Sequence, residues 1–214
     1  VRFKKAGAMV IMGGFHVSGT KALIGDTPEV ESLKQQGVSL FHGEAEGRID
    51  EIITDAVNGQ LQPEYCCASK PDLTQDWALP LVDTKISKRF AVQHNGTMDT
   101  SRGCPFKCSF CTIIHVQGNR MRFRDPDIIE KHIRTHYPSI NFYFFTDDNM
   151  SRNPHWPDIF NSLIKMREKE HMNLKFMMQA DVPSFKIPGF VELAKRAGCT
   201  EVFIGLESLN ADNL

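Results

Sequence analysis

The chain has 214 residues, 41% of them apolar, with 25 basic and 26 acidic side chains and a net charge of −1. That is enough apolar material for one large domain or two small ones, and it carries no basic excess of the kind that marks a nucleic-acid surface. No stretch approaches the ~20 apolar residues of a membrane span.

The chain begins at Val1 and stops at Asp212-Asn213-Leu214, so both ends read as cuts in a longer protein. Ala8-Met9-Val10-Ile11-Met12 is a short apolar run closed by Gly13-Gly14, the pattern of a buried strand ending in a tight turn. Thr27 and Pro28, with Gly37 downstream, predict a capped helix to about Gln36. Residues 38–41 predict a second strand. Residues 46–57 predict an amphipathic helix with Ile49, Ile52, Ile53, Ala56 and Val57 on one side. Residues 60–95 carry Pro63, Pro71 and Pro80 with little periodicity and read as a linker, whose Cys66-Cys67 pair reads as ordinary thiols.

From about Gly96 the alternation of strand and helix returns. A strand leads into a cysteine-rich segment, and Asp125-Pro126 caps a helix to about His136 with Ile128, Ile129 and Ile133 on its apolar face. Residues 140–145 form an aromatic strand ending in Thr146-Asp147-Asp148-Asn149. A helix over 157–170 precedes a strand over 174–178 that ends in Gln179-Ala180-Asp181. Pro188 opens a helix that Gly198 stops, and a strand over 201–204 ends in Gly205-Leu206-Glu207-Ser208. Such alternation implies an α/β fold with a parallel sheet. Ligands in these sheets bind at the carboxyl ends of the strands, so the polar clusters there are expected to converge.

The most informative segment is Ser101-Arg102-Gly103-Cys104-Pro105-Phe106-Lys107-Cys108-Ser109-Phe110-Cys111-Thr112. The spacing C-x-x-x-C-x-x-C puts three soft thiolates within eight residues, enough for three corners of a [4Fe–4S] cube and leaving one iron open to a small ligand. A structural zinc site would need four ligands, usually as two Cys pairs. A disulfide framework would need a small, cysteine-dense secreted chain, and six Cys in 214 residues without a signal-type start do not fit one.

This segment resembles the signature of the radical S-adenosylmethionine (SAM) superfamily. The resemblance implies that Cys104, Cys108 and Cys111 hold the cluster and that the open iron chelates SAM. It also implies one-electron cleavage to methionine and a 5′-deoxyadenosyl radical, with the electron supplied by a donor such as flavodoxin or ferredoxin. Phe110 stands where the family places an aromatic residue beside the adenine. Asp147 and Asp148 stand where the family holds the SAM amino group, with an Asx turn as the plainer role. Glu207 and Ser208 correspond to the ribose-contact region, and Gln179 and Asp181 are weaker candidates of the same kind. Arg102, Arg122 and Arg124 flank the segment, with one of them holding the SAM carboxylate or modulating the cluster's charge, or all forming a solvated basic patch around a short helix. His115 reads as a packed or surface histidine.

The order Gly13-Gly14-x-His16-x-Ser18, a helix, then His42-Gly43-Glu44-Ala45-Glu46, resembles the cobalamin-binding class of that superfamily. Gly13 and Gly14 then correspond to the Gly-Gly beside the nucleotide tail of cobalamin. His16 is either a cobalamin contact or a turn histidine. The implied architecture is the C-terminal part of a Rossmann-like cobalamin-binding domain (1–59), a linker (60–95) and the first four strands of a radical SAM partial (β/α)6 barrel (96–214). The implied activity is cobalamin-dependent methyl transfer by a cytoplasmic enzyme. A cobalamin-linked rearrangement or cyclisation is one alternative. A non-catalytic electron-transfer module with a fourth cysteine (Cys66, Cys67 or Cys199) is another. No motif specifies the substrate.

Overall fold

The structure, a computed structural model, describes residues 2–75, 79, 94–208 and 210. Its contacts divide into two units, Val1–Asp72 with Phe106–Asn119, and Leu73–Pro105 with Arg120–Leu214.

In the first unit, α1 (Arg2–Lys5) precedes a parallel sheet of order β1 (Ile11–Met12), β2 (Ser39–His42) and β3 (Glu64–Cys66). Helices α2 (Phe15–Leu23), α3 (Pro28–Gln35) and α4 (Ile49–Val57) connect the strands. Thr27 caps α3 as expected, its hydroxyl oxygen accepting the Val30 N–H at 3.3 Å. Val17, Val38 and Leu40 form one small core, and Phe41, Ile52 and Tyr65 another. A one-turn helix, α5 (Ile113–Val116), follows Thr112. Gly19 on α2 makes room for it, since a Cβ there would fall 2.7 Å from Thr112 Cγ2.

Three features of this unit differ from the sequence reading. The stretch after Gly14 is helical from Phe15, so His16 lies in the first turn of α2 and not in a turn between elements. The expected linker contains β3, with Tyr65 buried and its hydroxyl donating to Asp55 at 2.7 Å. Three residues are too few for a visible alternation, which is why the strand escaped notice. On α4 only Ile52 is buried; Ile49, Ile53 and Val57 are exposed. Residues 60–72 of the expected linker pack with the first unit. Residues 76–78 and 80–93 of the expected linker lie outside the described residues.

The second unit is a parallel sheet of order β4 (Asn95–Met98), β7 (Phe142–Phe145), β8 (Lys175–Ala180) and β9 (Cys199–Ile204). An antiparallel pair, β5 (Ser101–Arg102) with β6 (Arg122–Phe123), follows β4. Helices α6 (Pro126–His136), α7 (Trp156–Ile164, continued by a π turn over Lys165–Lys169) and α8 (Phe190–Ala197) make the crossovers. Asp125 caps α6 by accepting the Asp127 N–H at 2.9 Å, and Ile129 and Ile133 turn inward. Gly198 ends α8 at φ +102°, where a Cβ would lie 2.6 Å from the Leu174 carbonyl oxygen.

The core of this unit joins β7 and β8 to the helices through Phe145, Phe176, Phe160 and Phe190, with Phe145 and Phe176 ring centroids 4.9 Å apart and Phe160 and Phe190 5.6 Å apart. Each such side chain contributes about 1.5–3 kcal/mol on burial. These packed strands and helices fix the carboxyl ends of β4, β7 and β8, from which the polar residues project.

Candidate cluster and cofactor site

Beyond β4 the chain runs Asp99-Thr100-Ser101-Arg102-Gly103 into Cys104. Asp147, two residues past the end of β7, takes hold of this arm. Its carboxylate accepts the Thr100 N–H at 2.9 Å, the Thr100 hydroxyl at 2.6 Å and the Ser101 hydroxyl at 2.5 Å. Asn153 donates to the Thr100 hydroxyl oxygen at 2.9 Å, and Gln179 donates to the Asp147 backbone carbonyl at 3.1 Å. Burial pushes the Asp147 carboxyl up to about 6, against the downward pull of the Ser101 and Thr100 donors.

Asp147 is fully buried, and its oxygens are occupied by protein donors. All of these donors belong to the strand-end arm at Thr100 and Ser101. Asp148 is different. It is half-buried, and among the described residues it accepts the Gly103 N–H alone, at 3.2 Å, beside Cys104. Burial pushes it up to about 6 as well, with the Asp147 and Asp99 charges adding to the effect. Asp181 accepts from Arg152 and Asn149, so it is engaged in the framework of the β8 end.

Arg102 and Arg124 are engaged with Asp99. Arg124 is buried and donates to both Asp99 carboxylate oxygens at 3.0 and 3.1 Å, while Arg102 reaches the same carboxylate at 2.7 Å. Burial works to raise the Asp99 carboxyl, yet the two guanidiniums hold it below the usual carboxylate range. Asp99 and Thr100 were missed in the sequence. The available signal was Asp99-Thr100-Ser101, a polar cluster at a strand end like the others.

Cys104 and Cys111 are half-buried, Cys108 is exposed, and none of the three is disulfide-bonded. Among the described residues no three His, Cys, Asp or Glu side chains are gathered into a metal cage. The donor set nevertheless suits an iron–sulfur cluster: three accessible thiols within eight residues, outside any disulfide and with no hard carboxylate ligand interleaved. Phe110 in the same segment is 70% exposed. Beyond β9, Glu207 is exposed and Ser208 half-buried, its hydroxyl oxygen accepting the Asn210 N–H at 3.0 Å. Cys199 begins β9 and packs against the core, and burial raises its thiol to about 11.

In the first unit, Gly13 lies where a Cβ would meet the Phe41 carbonyl oxygen at 3.2 Å, and Gly14 turns the chain into α2 at φ +91°. His16 is exposed and lines a cavity of about 270 Å³ with Met12, Thr20, Leu33 and Leu40. A second cavity, about 230 Å³, opens at the carboxyl ends of β2 and β3, lined by His42, Gly43, Glu44, Cys66, Cys67 and His115. Sequence reading had set His115 and the Cys66-Cys67 pair apart from the site residues. Among the described residues no helix is long and apolar enough to cross a membrane.

Residues 98–214, the span holding the three cysteines and the parallel sheet, match the radical SAM superfamily. The chain belongs to that superfamily. Along its whole length it is 26% identical to the bacteriochlorophyllide d C-12(1)-methyltransferase of Chlorobaculum tepidum, of which it covers 45%. It is 28% identical over 79% of its length to the hopanoid C-2 methylase of Rhodopseudomonas palustris, covering 33% of that protein. The chain thus spans less than half the length of these curated relatives. Its fold is similar to that of the radical SAM methyltransferase TsrM from Kitasatospora setae, solved with tryptophan and a SAM analogue, at TM-score 0.71 and 17% identity over 96% of this chain and 43% of that one. It is likewise similar to the cobalamin-dependent SAM radical enzyme OxsB, at TM-score 0.70 and 17% identity over 100% of this chain and 33% of that one.

Proposed function

We propose that this chain is part of a cobalamin-dependent radical SAM methyltransferase. The single observation that carries the reading is the C-x-x-x-C-x-x-C set of thiols, Cys104, Cys108 and Cys111, inside the superfamily span. When bound, a [4Fe–4S] cluster would supply the electron that cleaves SAM reductively, and cobalamin would carry the methyl group. The protein's own part is to bind and orient these groups and to keep water away.

In this reading the three cysteines each ligate one iron. Asp148 receives the SAM ammonium group, since it is a half-buried strand-end carboxylate next to the cysteine segment with capacity beyond the backbone N–H that it accepts from Gly103. Phe110 offers an aromatic face to the adenine, and Glu207 and Ser208 approach the ribose. Residues 1–59 act as part of a Rossmann-like cobalamin domain, with Gly13, Gly14 and His16 on the cobalamin side, and residues 96–214 as part of the radical SAM domain. The cavity at the carboxyl ends of β2 and β3 supports this assignment, because parallel sheets bind ligands at that edge. A one-electron donor completes the set of partners.

The test is product analysis with the full-length protein, SAM carrying a labelled methyl group, and cobalamin added or withheld. Transfer of one labelled methyl that requires cobalamin is the expected result. Turnover that forms 5′-deoxyadenosine without cobalamin, or without methyl transfer, would replace the methyltransferase reading by a rearrangement or cyclisation.

A further inference from the structure

Buried carboxylates are costly unless every oxygen finds a donor. Asp147 has no exposure at all and finds three donors, all of them on the short arm that leads to the first cysteine. Its neighbour Asp148 accepts the Gly103 N–H on that same arm, one residue before Cys104. The arm has further holds in the Arg124 N–H donating to the Thr100 carbonyl at 2.8 Å and in the Arg124 guanidinium on Asp99. Thr100 is the hub, with its N–H, its hydroxyl and its carbonyl all engaged.

We infer that Asp147 is the positioning residue of the cluster-bearing segment, its carboxylate fixing Thr100 and Ser101 so that Cys104 is presented to iron from a rigid base. The inference rests on the proposed role of the three cysteines. A role confined to folding would need only that the polar groups be satisfied. What distinguishes this arrangement is that all three donors, one backbone N–H and two hydroxyls, lie within four residues of Cys104, on the arm itself. A negative charge held so near a cluster ligand also opposes reduction of the cluster, because net charge around a cluster helps set its potential.

The experiment uses the full-length protein, reconstituted anaerobically with iron and sulfide, as wild type, Asp147→Asn, Asp147→Ala and Thr100→Val. Three quantities are measured on each: the melting temperature without iron, the rate of iron release to a chelator, and the midpoint potential of the cluster. Asp147→Ala and Thr100→Val should release iron roughly tenfold faster, the factor carried by one hydrogen bond to a charged group. Asp147→Asn keeps the side-chain shape but removes the charge, so its midpoint potential should move to a more positive value. Should Asp147→Ala fail to fold, the Asn and Val variants decide the matter. Variants that melt earlier yet keep the wild-type release rate and potential would overturn the inference and leave Asp147 a purely structural residue. Failure of the wild type itself to take up iron would overturn the cluster reading, and the inference with it.

Discussion

Replacing Asp148 by Asn removes one negative charge while leaving an oxygen to accept the Gly103 N–H, now made at 3.2 Å. The strand-end geometry should therefore survive, and the effect should fall on SAM. A hydrogen bond to a charged partner is worth about 1.5–3 kcal/mol. Asp148 is only half-buried, so solvent screening favours the lower end, about tenfold in affinity. The proton balance sharpens the expectation. Burial raises the Asp148 carboxyl to about 6, so wild type carries the charge at pH 8 and loses it as pH falls through about 6. SAM affinity of the wild type should decline on acidification, while that of Asp148→Asn should not follow, and the two should converge near pH 5. Calorimetric titration of SAM into the reconstituted full-length protein at several pH values measures both. Affinities within twofold of each other at pH 8 would refute the role given to Asp148.

Two further expectations concern stability. Ile133 on α6 has no exposure in the main core, so Ile133→Ala should cost about 2–5 kcal/mol in denaturant unfolding, and a loss under 1 kcal/mol would contradict the packing described. Glu64 on β3 accepts from Lys34 at 2.7 Å and Lys21 at 2.9 Å, which hold its carboxyl down at about 2. A depressed carboxyl gives stability that is present above its unfolded value near 4.5 and lost as pH falls toward 2. The group is partly exposed, so this amounts to about 1 kcal/mol. Melting temperatures between pH 5 and pH 2 should fall more steeply for wild type than for Glu64→Gln; parallel curves would contradict the ion network.

Much of the second unit was legible because its signals are long or strongly punctuated. Asp125-Pro126 opens α6, Gly198 stops α8, and β7 is an aromatic run between them, each of which follows from local chemistry alone. In the first unit β1 and β3 are two and three residues long, too short for periodicity, and the helix at Phe15 begins at a Gly-Gly pair that also suits a loop. The α4 stripe predicted a buried face, but a helix's apolar side is buried only where something packs on it, and Ile52 alone has found a cover.

The three cysteines were readable because their chemistry lies in their spacing. The division of labour between Asp147 and Asp148 was not, since adjacent carboxylates look alike in sequence. Only the fold decides that one faces Thr100 and Ser101 in the interior while the other remains partly open beside Gly103. The Asp99 pairing with Arg124 spans 25 residues and depends on β5 meeting β6, which no local pattern announces.

The most direct measurement is the electron paramagnetic resonance spectrum of the full-length protein, reconstituted anaerobically and reduced, with and without SAM. A variant with Cys104, Cys108 and Cys111 all changed to Ala is the control. The expected result is a [4Fe–4S] signal that shifts when SAM is added and is missing from the variant. A signal that persists in the variant, or that ignores SAM in the wild type, would contradict the three-cysteine, open-iron site.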